Sequence, residues 1–476
     1  MTLGGRRQDG TRVVVVGGGL AGLAAAAALS RGGMLIDLFE ARRFLGGRAS
    51  SFTEAAVGAE VDHCQHVSMG CCTNLADFCR RAGIDDCLRE EPILHFFGRD
   101  GKRYDLAATP WLPAPLHLAW GLLSLGFLSW KDRLGIVRAM HQLARGRDDA
   151  DQTVADWLRA QDQSATAIER FWIVVLTSAL GESIERASLR YARKVFVDGF
   201  LANRRGYVVQ VPSVPLGVLY GDCLRLRLAD QGVTLHLGTP VREVVGDGSG
   251  VRGVRVGSDE WISVDYLVLA VPWKHCRAVV CPELASALPE LARLEAIEAS
   301  PITGIHLWFD RSITSLSHAV LIDRLSQWLF NRGAQNNTPD ASESKNYYQV
   351  VISASRNLAG RQREDIVAEI VDDIQATFRE ARGARLLHSR VVTDVEAVFS
   401  VRPGIDRLRP AQRTAVHNLF LAGDWTATGW PSTMESAVRS GYLAAEAVTE
   451  AAGQPQRFLT PDLPRGWLAR FVLGNL

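Results

Sequence analysis

The chain has 476 residues, 47% of them hydrophobic, more than one ordinary core absorbs, which predicts two or three domains. Its 53 basic and 52 acidic residues leave a net charge of +1, so it carries no nucleic-acid footprint and no nucleic acid is expected as a partner. Arg6-Arg7 ahead of an apolar stretch over 13–29 imitates a twin-arginine export signal, but cleavage there would remove the motif that follows, and the reading is set aside.

Four consecutive valines over 13–16 fit a parallel strand buried on both faces. Gly17, Gly18, Gly19 and Gly22 then allow a tight turn and a close backbone approach to a pyrophosphate, and a helix is predicted over 20–30 with its amino end toward that phosphate. Gly17, Gly19, Leu20, Ala21 and Gly22 are therefore expected to bind a dinucleotide. A second strand over 34–39 leads to Glu40, placed 18 residues past Gly22 to accept hydrogen bonds from ribose hydroxyls, with Ala41 and Arg42 beside it. Next come Gly46, Gly47, Arg48 and Ala49, a sequence that resembles the second phosphate-contacting motif of the glutathione-reductase-like flavoproteins. That resemblance implies that Arg48 neutralises the pyrophosphate.

Cys64, Cys71, Cys72, Cys79 and Cys87 crowd beside His63 and His66. Cys72 and Cys79 share one face of a helix predicted over 72–82 and read as small apolar residues, so no metal is expected and free thiols point to a reducing cytoplasm. Prolines and glycines interrupt the apolar region 111–130, leaving it short of the ~20 residues of a membrane span. Its tryptophans suit a membrane interface or the mouth of a lipid cavity, as does the tail segment 467–473; a core helix and a docking tail are the alternatives. Apolar residues at helical spacing predict a largely helical 153–180.

A strand over 207–212, a helix over 216–229 and a strand over 233–237 follow, then Val241 at the head of a hairpin over 242–256. A buried strand over 265–272 places Ala270 beside the cofactor. Further on come strands over 302–309 and 347–353, an exposed loop over 335–345, a helix over 363–380 and a strand over 418–422. Ser432-Thr433-Met434-Glu435 has the form of a capping box opening a helix, whose amino-end donors would face the pyrimidine edge of a flavin. The order of these elements implies an α/β fold with a discontinuous dinucleotide domain (1–85, 206–272 and 395–450). An α+β substrate domain is inserted (86–205 and 273–394), and a tail over 451–476 follows, suited either to membrane contact or to docking on the rest of the chain.

The run from Gly423-Asp424-Trp425 through Pro431-Ser432-Thr433-Met434-Glu435 to Tyr442 resembles the flavin amine oxidase and phytoene desaturase superfamily. Within it the run is most similar to the squalene-associated flavoproteins of hopanoid synthesis, a group that includes hydroxysqualene dehydroxylases. Asp62-His63-Cys64-Gln65-His66 looks like a second hallmark, although Asn-Gly is the pattern expected before Gln-His. The resemblance implies a glutathione-reductase-like Rossmann domain and a non-covalent FAD. Contacts are implied from Gln65, His66, the backbone of Val241, Asp424 at the ribityl chain, and Gly423, Ser432, Thr433 and Met434. It further implies hydride transfer from reduced flavin to an allylic carbon of hydroxysqualene, giving squalene. His66 would be the proton donor with Asp62 or His63 behind it, and Trp430 and Trp425 would face the cation. A buried histidine bonded to backbone is the other reading of His66. Carotenoid or isoprenoid desaturases and flavin amine oxidases are the alternative functions. Gly304 stands where amine oxidases place a lysine, and no cysteine follows Cys281 to link the flavin covalently. With no second dinucleotide fingerprint, an external electron donor is expected. The expected setting is the cytoplasm or the surface of the inner membrane, with a hydrophobic isoprenoid as the expected substrate.

Overall fold

The computed structural model describes residues 10–146, 151–333 and 346–473; Arg6-Arg7, the loop over 335–345 and the last three residues of the tail lie outside them. Its first layer is a five-stranded parallel sheet. We number its strands β1 (Arg12–Val16), β2 (Leu35–Glu40), β3 (Val233–Leu237), β4 (Tyr266–Leu269) and β5 (Leu419–Leu421), and they lie in the order β3-β2-β1-β4-β5. Every pairing is parallel. Val13, Val14 and Val15 are wholly buried, as an unbroken β-branched run in a central parallel strand requires.

Helix α1 (Leu20–Leu29) and the long carboxyl-terminal helix α2 (Met434–Ala451) pack on this sheet. Their backbones approach so closely that a Cβ on Gly441 would lie 2.3 Å from the Ala21 carbonyl oxygen, which explains the run of alanines and glycine at the contact. The sheet is thus assembled from three distant stretches of chain, and the expected α/β class is what is found.

The second layer is a seven-stranded mixed sheet in the order Leu386–Phe399, Ala299–Phe309, Tyr347–Ser353, Trp328–Asn331, His318–Leu321, Ile93–Phe97, Arg103–Ala107. Strand alternation gives it two different faces. Ile305, Leu307 and Phe309 pack with Ile366, Ile370 and Ile374 of the helix Arg363–Thr377. Gly304, His306 and Trp308 point the other way, toward the segment that carries Asp62 and His63.

The run 153–180, expected to be largely helical, is interrupted once, and the helix expected over 216–229 is present with a π-helical first half. Within 153–180, Asp162 takes a left-handed conformation and Ser164 then caps a new helix by accepting a hydrogen bond from the Ala167 N–H. A π-helical segment, Ile168–Trp172, follows before the helix Ile173–Leu180. The helix expected over 216–229 likewise opens as a π-segment, Gly217–Cys223, ahead of Leu224–Asp230. Among the described residues no helix is long and apolar enough to cross a membrane.

Candidate functional site

Two glycine turns stand back to back at the carboxyl ends of β1 and β2. Gly17 has φ +112°, and a Cβ there would lie 2.6 Å from the Ala270 carbonyl oxygen; one on Gly22 would lie 1.9 Å from the Gly17 carbonyl oxygen. Only glycine fits either position. The Gly46 N–H donates to the Gly18 carbonyl at 2.9 Å, and a Cβ on Gly47 would come within 3.0 Å of the Gly19 Cα. Gly19 itself faces open space, its nearest neighbour for a Cβ being Gly47 Cα at 3.9 Å. Gly19 is also the amino-cap of α1 and supplies no side-chain acceptor. This is a cradle lined by backbone at the positive end of a helix, and it fits a pyrophosphate. Leu20 and Ala21 begin the helix, and Ala49 is buried beneath the second turn, its N–H donating to the Gly46 carbonyl.

Glu40 ends β2. One of its oxygens accepts the Gly18 N–H at 2.7 Å and the other the Arg42 N–H at 2.8 Å, which fixes the carboxylate at the rim while each oxygen keeps a lone pair for a ribose hydroxyl. Ala41 and Arg42 are exposed beside it. The Thr239 N–H donates to the Glu40 carbonyl at 3.0 Å, which brings Val241, at the head of the next strand, to the same end of the sheet.

Arg48, expected at the pyrophosphate, also has partners within the protein: its guanidinium pairs with Asp424 at 2.5 Å and donates to the Ala397 carbonyl at 2.7 Å. The second Asp424 oxygen accepts from Ser432 Oγ. The two sequence motifs are thus joined directly, because a nearly buried carboxylate takes the nearest cation. Gly423, at φ +148°, makes the bend before Asp424 and donates its N–H to Ser440 Oγ.

The cap of α2 falls one residue later than the sequence pattern placed it. Thr433 is the amino-cap and accepts the Ser436 N–H at 3.1 Å, while Ser432 is occupied by Asp424. Glu435 does not complete a capping box. It accepts the Leu75 N–H at 2.7 Å, the Asn74 N–H at 3.2 Å and Asn74 Nδ2 at 3.0 Å, capping a different helix, Thr73–Ala82. Met434 Sδ receives a contact from the Tyr220 hydroxyl.

The segment 62–66 also departs from its expected roles. Asp62 does not stand behind His66: its oxygens accept from Ser51 Oγ (2.7 Å), the Leu216 N–H (2.7 Å) and Arg332 Nη2 (3.0 Å), and the Asp62–Arg332 pair is buried, with side chains 0% and 4% exposed. His63 Nδ1 donates to the Ser50 carbonyl at 3.0 Å, not to His66. His66 Nδ1 donates to the Cys64 carbonyl at 2.9 Å, which leaves Nε2 as the acceptor, and burial lowers the pKa of the ring. A neutral imidazole of this tautomer is a poor acid and a competent base. Gln65 Nε2 donates to the His66 carbonyl, while its Oε1 is buried without a partner, an acceptor directed at a group the protein does not supply.

Trp430 and Trp425 do not offer open faces. Lys194 Nζ lies 4.3 Å from the Trp430 ring centroid and the Arg439 guanidinium 5.5 Å, so that ring already holds the protein's own cations. Trp425 is a core residue donating Nε1–H to the Val271 carbonyl.

Beneath the 62–66 segment lies a wall of which sequence reasoning singled out only Gly304. A Cβ on Gly304 would sit 2.9 Å from the His63 carbonyl oxygen, so the glycine is required by the contact and a lysine has no room. His306 shares a 2.7 Å hydrogen bond with the Tyr347 hydroxyl, and burial pushes the histidine pKa down to about 3. Gln349 Nε2 donates to the Asp62 carbonyl, and its Oε1 is a second buried acceptor without a partner. The available signal was the alternation of Gly304, His306 and Trp308 on one strand face. The cysteines are free thiols, burial pushing Cys64 up to about 12, and among the described residues no group of side chains could hold a metal.

The profile of the flavin containing amine oxidoreductase family matches residues 20–449. The chain is 26% identical over 467 residues to a 15-cis-phytoene desaturase of Synechococcus elongatus, covering 94% of this chain and 97% of that protein. It is 27% identical over 485 residues to a probable zeta-carotene desaturase of the same organism, covering 92% and 99%. Among solved structures, an oxidoreductase from Methanosarcina mazei superposes with a TM-score of 0.69 at 16% identity, covering 92% of this chain and 100% of that one, a likeness of fold.

Proposed function

Because the chain belongs to the flavin-containing amine oxidoreductase family, we propose that this FAD-dependent enzyme carries out two-electron chemistry at an allylic carbon of a linear polyisoprenoid, in the direction of desaturation. The observation that carries this reading is the near full-length similarity to phytoene and zeta-carotene desaturases. The geometry is consistent with it. Asp62 is neutralised by Arg332, and burial keeps His66 and His306 uncharged, so a hydrocarbon beside this wall meets no uncompensated charge. The contact of Gly304 with His63 removes the lysine position of the amine oxidases.

The glycine turns, Glu40, Gln65 and the amino end of α2 are the groups that would hold FAD, which when bound supplies the acceptor for a hydride taken from an allylic carbon. The same bond change releases a proton from the neighbouring carbon. His66 Nε2 would accept it, its Nδ1–H being held by the Cys64 carbonyl. Asp62, His63 and Arg332 position this segment and do not react. A diffusing redox partner would restore the flavin after each turnover.

A second reading, reductive removal of the allylic hydroxyl of hydroxysqualene, is favoured by the resemblance of the run from Gly423 to Tyr442. It needs a proton donor, which the buried neutral His66 does not readily provide. Two anaerobic incubations separate the readings. Oxidised enzyme with phytoene in liposomes should yield more conjugated products as the flavin bleaches. Squalene formation by photoreduced enzyme from hydroxysqualene, with phytoene inert, would instead establish the second.

A further inference from the structure

The geometry points to a docking surface for an anionic lipid bilayer, built from a loop and three helices of the inserted helical part and the carboxyl-terminal tail. Trp111, Trp120, Trp130, Trp467 and Phe471 are between 65% and 84% exposed, which excludes them as walls of an internal tunnel. Leu134 and Val137 extend the apolar stripe of the helix Trp130–Arg145.

These residues lie on neighbouring elements. Ala114, Ala144, Ala469 and Leu473 share a small core that ties the 111–116 loop, the end of that helix and the carboxyl-terminal helix Trp467–Leu473 together. Arg145 Nη1 donates to the Val472 carbonyl at 3.3 Å, and a Cβ on Gly466 would touch Ala114 at 3.6 Å. The loop bearing Trp111, the carboxyl end of that helix and the helix bearing Trp467 and Phe471 therefore adjoin, although they come from sequence segments over 300 residues apart.

Charge decides what covers it. The stretches 106–146 and 463–473 contain Lys131, Arg133, Arg138, Arg145, Arg465 and Arg470 against a single acid, Asp132. That acid is engaged by Ser129 and Ser164. A second copy docking on the same face would set these cations against one another, as a two-fold contact repeats the same patch on both sides. A bilayer with anionic headgroups satisfies both features: the rings enter the interface and the cations remain at headgroup level. The exposed stripe Trp130, Leu134, Val137 runs beside Lys131 and Arg138 on the helix surface, the pattern of a helix lying in the interface plane.

The test is flotation of the full-length flavoprotein on vesicles of phosphatidylcholine alone and of phosphatidylcholine doped with phosphatidylglycerol. Association with the doped vesicles is expected, weakened by salt. Lys131→Gln with Arg138→Gln should lower partitioning about twenty-five-fold, at about fivefold per cation. Trp467→Ser with Phe471→Ser should lower it tenfold or more, with FAD content unchanged in both variants. Wild-type protein that stays with the soluble fraction, or variants that float as well as wild type, would overturn the proposal. So would a dimer that Trp467→Ser with Phe471→Ser dissociates in the absence of vesicle binding. Flotation requires no turnover, so its outcome is independent of the isoprenoid reading.

Discussion

Asp62→Asn distinguishes a positioning carboxylate from a reacting one. The substitution keeps the volume and one carbonyl oxygen, which can still accept from Ser51 Oγ and the Leu216 N–H, but it places an amide where Arg332 Nη2 has its carboxylate at 3.0 Å. Both side chains are buried, so solvent does not screen the loss. Removing one partner of a buried pair costs about 3–5 kcal/mol. At about 2.1 cal/mol/K per residue, a chain of 476 residues unfolding as a unit has a transition entropy near 1 kcal/mol/K, so the melting temperature should fall by about 3–5 °C. Differential scanning calorimetry of the FAD-loaded protein reads this directly. Residual turnover per folded molecule should fall far less than the several orders of magnitude expected for loss of a reacting group. Unchanged melting with turnover abolished would refute the assignment of Asp62 to structure.

Three further outcomes follow from the same geometry. Gly304→Ala presses a methyl to 2.9 Å from the His63 carbonyl oxygen and should cost about 1–3 kcal/mol, read as a lower melting temperature; a neutral effect would show that the sheet and the 62–66 segment are not in contact. Burial alone would raise the Glu182 pKa, but Arg356, Ser400 and the Ser183 N–H outweigh it and hold the carboxyl below its ordinary value of about 4.3. Its stabilisation is therefore complete above that pH and lost as pH falls through the lower folded-state value; Glu182→Gln should flatten this acid limb, and an unaltered acid-unfolding curve would contradict it. Because burial depresses His66, the acid limb of kcat/KM should lie below about pH 6.5 and vanish in His66→Gln, whereas a limb centred above that value would exclude His66 as the proton acceptor.

The dinucleotide half of the molecule was legible because its signals are local. The valine run, the glycine turn and Glu40 lie within one strand-turn-helix-strand unit, and the steric need for Gly17 and Gly22 is written in adjacent backbone. The errors fell where partners are remote. Arg332 lies 270 positions from Asp62, and no periodicity links the two. Ser432 and Thr433 are both competent caps, and the choice between them was made by Asp424, which took the serine. Glu435 had the spacing of a capping box, yet its carboxylate reaches a helix whose amino end lies about 360 residues earlier in the chain. The inserted helical run broke where a left-handed aspartate interrupts an otherwise continuous apolar pattern.

The most direct test of the account is the stoichiometry of FAD released by heat from the purified chain, measured beside Gly22→Val, whose side chain would occupy the space 1.9 Å from the Gly17 carbonyl oxygen. One FAD per wild-type chain and none in the variant is the expected result. A colourless wild-type protein that takes up no added FAD, or a variant that retains it fully, would contradict the convergence of these segments on a flavin.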